Sequence, residues 1–328
     1  MIKSLKHRKI RWGIIGLGNI ANKFAADLLT VDDAQLYAVA SRTQEKADTF
    51  ATKYNATKSY GSYKSLVNDT HIDAIYIATP HSHHKENTLL CLEKGIAVLC
   101  EKPFAMNSEE VGIMIVKAKE NNILLMEALC TYFLPHYRYI LNLLNKKEYG
   151  NIIKLEADFG FKPTFDINSR VFKKSLGGGS LLDIGIYPIF AALSTLEEPN
   201  SIQASATFFE NGVDSSCSMV FNYKNDVKAI LKSTFLQTTP TEAVFYCENG
   251  IIKINGKFSG PSTVTLIADD IEETIDFDYK TKGYDYEIIH FNKLLRQRKT
   301  ESDVMSFNFS KKLMQTIDKI RQNIGLEY

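Results

Sequence analysis

Apolar residues along this chain follow two rhythms, and the change between them falls near residue 130. In the first stretch, short apolar runs alternate with segments of helical spacing. Trp12-Gly13-Ile14-Ile15 reads as a buried strand, and Ala21, Phe24, Ala25, Leu28 and Leu29 then recur as one helical face. The alternation predicts further strands over 36–40, 72–78, 97–100 and 123–128. It predicts helices over 43–54 and 62–68, another ending at Leu92, and one over 108–121. Repeated strand–helix units of this length predict a parallel sheet with helices on both faces, right-handed crossovers and ligands at the carboxyl ends of its strands.

The second rhythm is period two. A connecting helix over 135–145 carries Tyr137, Ile140, Leu141 and Leu144 as its stripe, after which Ile153, Leu155, Ala157 and Phe159 share one strand face. Strand-like runs follow over 201–208, 216–223, 227–235, 241–247, 251–254 and 263–268. Asn211-Gly212, Asn249-Gly250 and Asn255-Gly256 supply hairpin turns between them. Two helices close the chain, one with Ile288, Ile289, Phe291, Leu294 and Leu295, the other with Phe309, Leu313, Ile317 and Ile320. A chain of 328 residues exceeds one typical core. The expected architecture is α/β in two domains: residues 1–128 as a doubly wound parallel sheet, and residues 129–328 as an α/β domain with a large, mostly antiparallel open sheet. Partner subunits often cover such an open face, so a homodimer or larger homo-oligomer through the C-terminal sheet is expected.

Composition narrows the function classes. Apolar content of 45% and charged content of 23% are those of an ordinary globular protein, and a net charge of +1 gives no electrostatic case for nucleic acid or an anionic membrane. The five cysteines are scattered with no CxxC pair, which suits reduced thiols rather than disulfides or a zinc site. Lys3, Lys6, His7, Arg8 and Lys9 precede an apolar run as in a secretory signal, but Arg11 and three glycines interrupt that run before residue 20. With no run near the roughly 18–20 apolar residues of a membrane span, the expectation is a cytoplasmic protein.

The first strand ends in Gly16-Leu17-Gly18-Asn19-Ile20-Ala21, which fits G-x-G-x-x-G/A between a strand and a helix. The first glycine permits the bend, the second lets a pyrophosphate approach the backbone, and the small third residue packs the helix close, as in a Rossmann domain. At the end of the next strand stand Ser41 and Arg42, where an NAD-selective site carries an acid. A 2′-phosphate is matched by both residues, so NADP is expected ahead of NAD; the alternative is that Arg42 is a solvated residue capping the following helix. His81, His83 and His84 follow a proline with no acid or cysteine at ligand spacing, which favours loop, capping or substrate contacts over a metal site. Lys102 leaves its strand between Glu101 and Pro103, where a cation eases deprotonation of a reacting hydroxyl. In Gly177-Gly178-Gly179-Ser180-Leu181-Leu182-Asp183-Ile184-Gly185-Ile186-Tyr187-Pro188, the serine-to-acid spacing reads as a capped helix start, and Asp183 and Tyr187 share one face. They form either acid/base machinery or an ordinary helix start with an exposed acid and a half-buried tyrosine.

GLGNIA, ATPHSHH, CEKPFA and GGGSLLDIGIYP together resemble the Gfo/Idh/MocA family over essentially the whole chain, most nearly its branch of dimeric dihydrodiol dehydrogenases and NADP-dependent D-xylose 1-dehydrogenases. The resemblance implies an N-terminal Rossmann domain and a hydride transfer between NADP and a hydroxyl-bearing carbon of a sugar, cyclitol or trans-diol. It makes Lys102 and Tyr187 the catalytic pair and Asp183 a substrate-orienting acid, with Lys102-Pro103 a cis peptide. Gly16, Gly18, Asn19, Ile20, Ser41, Arg42, Thr79, Pro80, His84, Glu101 and Lys102 become cofactor-binding residues, with His84 and Arg170 also candidates near the pocket mouth. Cys130 and Tyr132 stand where branch members often carry Trp and Arg, which leaves substrate identity open. Two other readings keep the fold: an NAD-dependent glycosidase using transient oxidation, and a non-catalytic nucleotide sensor. The joint presence of Lys102, Asp183 and Tyr187 speaks against the sensor.

Overall fold

The computed structural model describes residues 8–328; Lys3, Lys6 and His7 of the basic N-terminal segment lie outside the described residues. The chain divides into two compact units, one running to Cys130 and taking in Lys280–Lys311, the other comprising Thr131–Tyr279 and Lys312–Tyr328.

In the first unit the elements are β1 (Ile10–Ile15), α1 (Asn19–Leu28), β2 (Ala34–Ala40), α2 (Gln44–Tyr54), β3 (Lys58–Tyr60), α3 (Tyr63–Val67), β4 (Ala74–Ile77), α4 (His84–Glu93), β5 (Ala97–Glu101), α5 (Ser108–Asn121) and β6 (Leu125–Ala128). The six strands are all parallel, in the order β3-β2-β1-β4-β5-β6. This is the doubly wound Rossmann order, whose direction reverses between β1 and β4 and opens a crevice at the carboxyl ends there. Strands β4 and β5 are buried along their whole length, as expected for central parallel strands. The short β3 has only Ser and Tyr beside a lysine, too little apolar pattern to read as a strand.

The second unit contains α6 (Pro135–Lys146), β7 (Ile152–Gly160), α7 (Ile186–Leu196), β8 (Ser201–Phe208), β9 (Asp214–Asn222), β10 (Lys228–Thr234), β11 (Ala243–Cys247), β12 (Gly250–Ile254), β13 (Val264–Ala268) and β14 (Ile271–Ile275). They form an eight-stranded sheet ordered β14-β13-β12-β11-β7-β10-β9-β8, antiparallel except for the β7–β10 pair. All three Asn-Gly turns join sheet neighbours. The terminal β14, Ile-Glu-Glu-Thr-Ile, is an edge strand exposed over its first four residues, so it lacked the buried alternation that marks the others. The stretch Lys174–Leu196, which includes α7, has the length and mean hydropathy (1.5) of a membrane span, yet 89% of its window is buried within the protein.

Helices α8 (Tyr284–Arg296) and α9 (Phe307–Ile324) close the chain. The division at residue 128 anticipates the change of rhythm, but Lys280–Lys311 returns to the first unit rather than staying with the second. The apolar stripe of α8 announces a helix without saying which sheet it covers. Its seat is fixed by polar contacts with the first unit. Trp12 donates to Asn292 at 3.1 Å while its ring meets Phe291 at 5.1 Å, Arg296 pairs with Asp33 at 3.1 Å, and Asp27 accepts the N–H of Tyr284 at 3.0 Å. The last contact sets an acid at the positive end of α8.

Candidate active site

In the first unit, the turn from β1 into α1 is built around Gly16. Its φ is +87°, and a Cβ there would lie 2.7–2.8 Å from the backbone of Ala78 and Thr79, so only glycine lets the β1 and β4 exits meet. A Cβ at Gly18 would meet nothing within 4 Å, which leaves the start of α1 open to a ligand. Gly18 is the N-cap and gives no side-chain hydrogen bond, so the N–H groups of the first turn have no capping side chain. Ala21 is fully buried, as the close helix–strand packing requires. Ser41 is buried and donates its N–H to Tyr60 at 3.1 Å, whereas Arg42 is exposed. The N-cap of α2 is Thr43, so Arg42 does not cap it. Burial pushes the Tyr63 hydroxyl up, and the guanidinium of Arg42 acts against that shift.

The loop after β5 carries Lys102, and the Lys102-Pro103 bond is cis. Three consecutive residues of this loop are held at their backbone. Glu101 accepts the Lys102 N–H at 3.2 Å and also the Tyr76 hydroxyl. The Pro103 carbonyl lies 2.9 Å from His84 Nδ1, and Glu127 accepts the Phe104 N–H at 3.0 Å. The other nitrogen of His84 lies 2.9 Å from the Thr79 carbonyl. These two carbonyls only accept, so a neutral ring satisfies one of them. His84 is fully buried, which corrects its placement near a pocket mouth: its ring ties the β4 exit to the β5 exit from inside. Thr79 is buried with its hydroxyl 3.2 Å from Asn87 Nδ2, and Pro80 is partly exposed. His81 is buried and His83 faces Glu86 at 4.0 Å. Among the described residues, no group of three or more His, Cys, Asp or Glu side chains is arranged to hold a metal ion.

Glu127 and Tyr76 escape sequence reasoning, although an acid inside a fully apolar strand run was a usable signal at Glu127. Burial pushes the Glu127 carboxyl up to about 7, against the pull of the Ser310 hydroxyl and the Phe104 N–H.

In the second unit, the glycine run works by contact. A Cβ at Gly178 would lie 2.8–3.0 Å from the backbone of Arg170, Val171 and Lys173, and at Gly179, with φ of +120°, it would lie 1.9 Å from Asp214 Oδ1. Ser180 does not cap a helix, contrary to its spacing. It is fully buried and donates to Asp214 Oδ2 at 2.8 Å, and residues Leu181–Gly185 form a π-helical turn before α7. Such turns are rare and recur at functional sites. Asp183 is buried and accepts both terminal nitrogens of Arg170, at 3.0 and 3.3 Å. Tyr187, half-buried, lies 5.6 Å ring to ring from Phe159. Phe159, Phe161, Phe235, Phe172 and Phe165 continue as a chain of ring contacts of 4.8–6.3 Å. Tyr132 packs edge-on against Phe190 of α7 at 5.0 Å, and burial pushes its hydroxyl up.

The glycine turn at the switch point of the Rossmann sheet and the acid–tyrosine turn of the second unit lie in a chain that matches known proteins over most of its length. Residues 10–129 match the family described as "Oxidoreductase family, NAD-binding Rossmann fold", and residues 137–253 match the "GFO/IDH/MocA C-terminal domain". The chain belongs to the Gfo/Idh/MocA oxidoreductase family. It is 36% identical to trans-1,2-dihydrobenzene-1,2-diol dehydrogenase of Xenopus tropicalis, across 97% of this chain and 99% of that one. It is 31% identical to the NADP(+) scyllo-inositol 2-dehydrogenase of Bacillus subtilis, across 97% and 98%. Its fold is shared with the 3-ketoreductase KijD10 of Actinomadura kijaniata, solved with NADP and TDP-benzene, at 23% identity and a TM-score of 0.86 over 97% of this chain and 98% of that one.

Proposed function

We propose that this family member is an NADP-dependent dehydrogenase that exchanges a hydride with a hydroxyl-bearing carbon of a sugar, cyclitol or trans-diol. The observation that carries the reading is the convergence of the nucleotide turn, the Thr79 exit and the clamped Lys102 loop at the carboxyl ends of β1, β4 and β5, three neighbouring strands at the switch point. Gly16, Gly18, Asn19 and Ile20 suit a pyrophosphate, because Gly16 makes the bend, Gly18 leaves open space at the start of α1, and Asn19 and Ile20 open that helix. Ser41 and the exposed Arg42 suit a 2′-phosphate, and Thr79, Pro80 and Glu101 border the same strand ends. The nicotinamide, when bound, supplies the hydride acceptor or donor. NADP use in the scyllo-inositol dehydrogenase supports the cofactor assignment, and the diol and inositol relatives support the substrate class.

In this reading Tyr187 takes the hydroxyl proton during oxidation and returns one during reduction. Lys102 lowers the cost of the developing alkoxide and of the tyrosinate. Asp183 orients a neighbouring hydroxyl, and Arg170 fixes the direction of its carboxylate. The test is a screen for reduced nicotinamide with aldoses, inositols and trans-diols, run with NADP and NAD in parallel and in both directions. Turnover with NADP is expected; none with either cofactor in either direction overturns the reading.

We also propose a cytoplasmic homodimer or larger homo-oligomer through the open face of the eight-stranded sheet. On that face Val220, Ile230, Val244, Tyr246, Ile251 and Ile267 alternate with the buried positions and keep intermediate or full exposure. Sedimentation showing only monomer at micromolar concentration refutes this.

A further inference from the structure

We propose that Asp214, at the start of β9, is the positioning residue for the turn that presents Asp183 and Tyr187, a role that rests on the reading above. Asp214 is fully buried and lies 33 residues beyond Leu181 in sequence. One of its oxygens receives two donors from the head of the turn, the Ser180 hydroxyl at 2.8 Å and the Leu181 N–H at 2.7 Å. The Leu181 amide is the first of the π-helical segment, where an N–H has no partner within the helix. Ser180 is held a second time, 3.0 Å from the Ser233 hydroxyl of β10. That strand also closes on the far end of the turn, since a Cβ at Gly185 would lie 3.0 Å from the same Ser233 oxygen.

The glycines fit this arrangement. With a φ of +120° and a Cβ that would fall 1.9 Å from Asp214 Oδ1, Gly179 is the only residue type that lets the carboxylate reach the turn. Gly179 in turn accepts the Asp183 N–H at 3.3 Å. The Tyr328 ring closes the same spot, its hydroxyl 3.3 Å from where that Cβ would stand. Asp214 touches neither Asp183 nor Tyr187 in any hydrogen bond described, so it acts on them through the backbone it anchors. An acceptor at this point fixes the phase of the turn, and a displacement of about 1 Å at a reacting group costs on the order of 10²-fold in rate.

The test compares Asp214→Ala, Asp214→Asn, Ser180→Ala and Tyr187→Phe in the full chain. The readouts are hydrogen exchange of the amides over 179–190, NADPH affinity, and turnover of whichever of scyllo-inositol, D-xylose or trans-cyclohexane-1,2-diol the unsubstituted protein oxidises. For Asp214→Ala, exchange over 179–190 is expected to be about tenfold faster and kcat about 30–100-fold lower, with NADPH affinity within about twofold. Asp214→Asn keeps an acceptor for both donors and is expected to stay within about threefold on every readout. Ser180→Ala, which removes one of the two donors, is expected to raise exchange by about threefold. Unchanged exchange and kcat in Asp214→Ala overturn the proposal. A folded Asp214→Asn with Ala-like loss also overturns it, because charge rather than acceptor geometry is then what matters. Should Asp214→Ala fail to fold, Asp214→Asn and Ser180→Ala decide on exchange alone. Full turnover in Tyr187→Phe defeats the assignment of Tyr187 and leaves the exchange result standing, so the two failures are told apart.

Discussion

The loop bearing Lys102 and the turn bearing Asp183 and Tyr187 are both held at their backbone, but by different means. The Lys102 loop is held by side chains that reach its backbone: Glu101 and Glu127 accept two N–H groups, and His84 meets the carbonyl between them. The Asp183 turn is held by the Asp214 carboxylate, which accepts from Ser180 and Leu181, and by the close approach that Gly178, Gly179 and Gly185 allow to the Arg170 segment, Asp214 and Ser233. In the Lys102 clamp the buried Glu127 carboxyl responds to pH, because its desolvation cost depends on its proton. The glycine contacts of the Asp183 turn respond in addition to a single methyl group. That difference gives each region its own way to fail.

The largest effect is expected at the proton carrier. Tyr187→Phe should lower kcat by roughly 10²–10⁴, the usual cost of losing a general acid–base, with NADPH affinity measured by fluorescence titration nearly unchanged. Turnover close to that of the unsubstituted protein removes Tyr187 from the chemistry. Next comes the glycine clamp. Gly179→Ala combines a left-handed φ with a contact of 1.9 Å and should destabilise the protein by about 2–4 kcal/mol in denaturant titration. Gly18→Ala places its Cβ in open space and should change stability by less than about 0.5 kcal/mol, while weakening NADPH at least about tenfold if the pyrophosphate lies there. Equal stability loss in the two variants erases the contrast.

Arg42→Ala should weaken NADPH by about 10–100-fold and leave NADH within about twofold, the worth of a charge-assisted contact to a phosphate. Equal effects on both cofactors place the 2′-phosphate elsewhere. The last test addresses the polar clamp through its dependence on pH. Glu127 is raised from 4.5 to about 7 in the folded protein, so the folded state holds its proton more tightly than the unfolded chain does. The contribution of this group to stability is therefore complete below about pH 4.5, falls as pH rises towards about 7, and is flat above that. Glu127→Gln keeps the acceptor for Phe104 and removes the titration. Its stability relative to the unsubstituted protein should rise between pH 5 and pH 8 by up to about 3 kcal/mol. A pH-independent difference between the two proteins contradicts the burial of an ionisable group there.

Much of this molecule is legible from local spacing. The strand–helix alternation, the G-x-G-x-x-A turn and the Asn-Gly hairpins are set by residues a few positions apart, and they predict both sheets. The resemblance carried by the EKP and GGGSLLD stretches likewise points to the family that the comparison with known proteins shows. Tertiary structure decided what local spacing cannot express. The stripe of Ile288, Phe291 and Leu294 demands burial but does not choose a partner, and contacts with Trp12 and Asp33 bring α8 back to the first unit. Ser180 has the spacing of a cap, yet Asp214 claims its hydroxyl from another strand and a π-turn results. Asp214 itself, in the polar run Asp214-Ser215-Ser216, looks like solvated chain before a strand. Glu127 looks like an interruption, and His84 like a loop ligand. In each case a polar side chain carries no local sign of burial, because its burial is tolerable only with partners that the fold alone brings within reach.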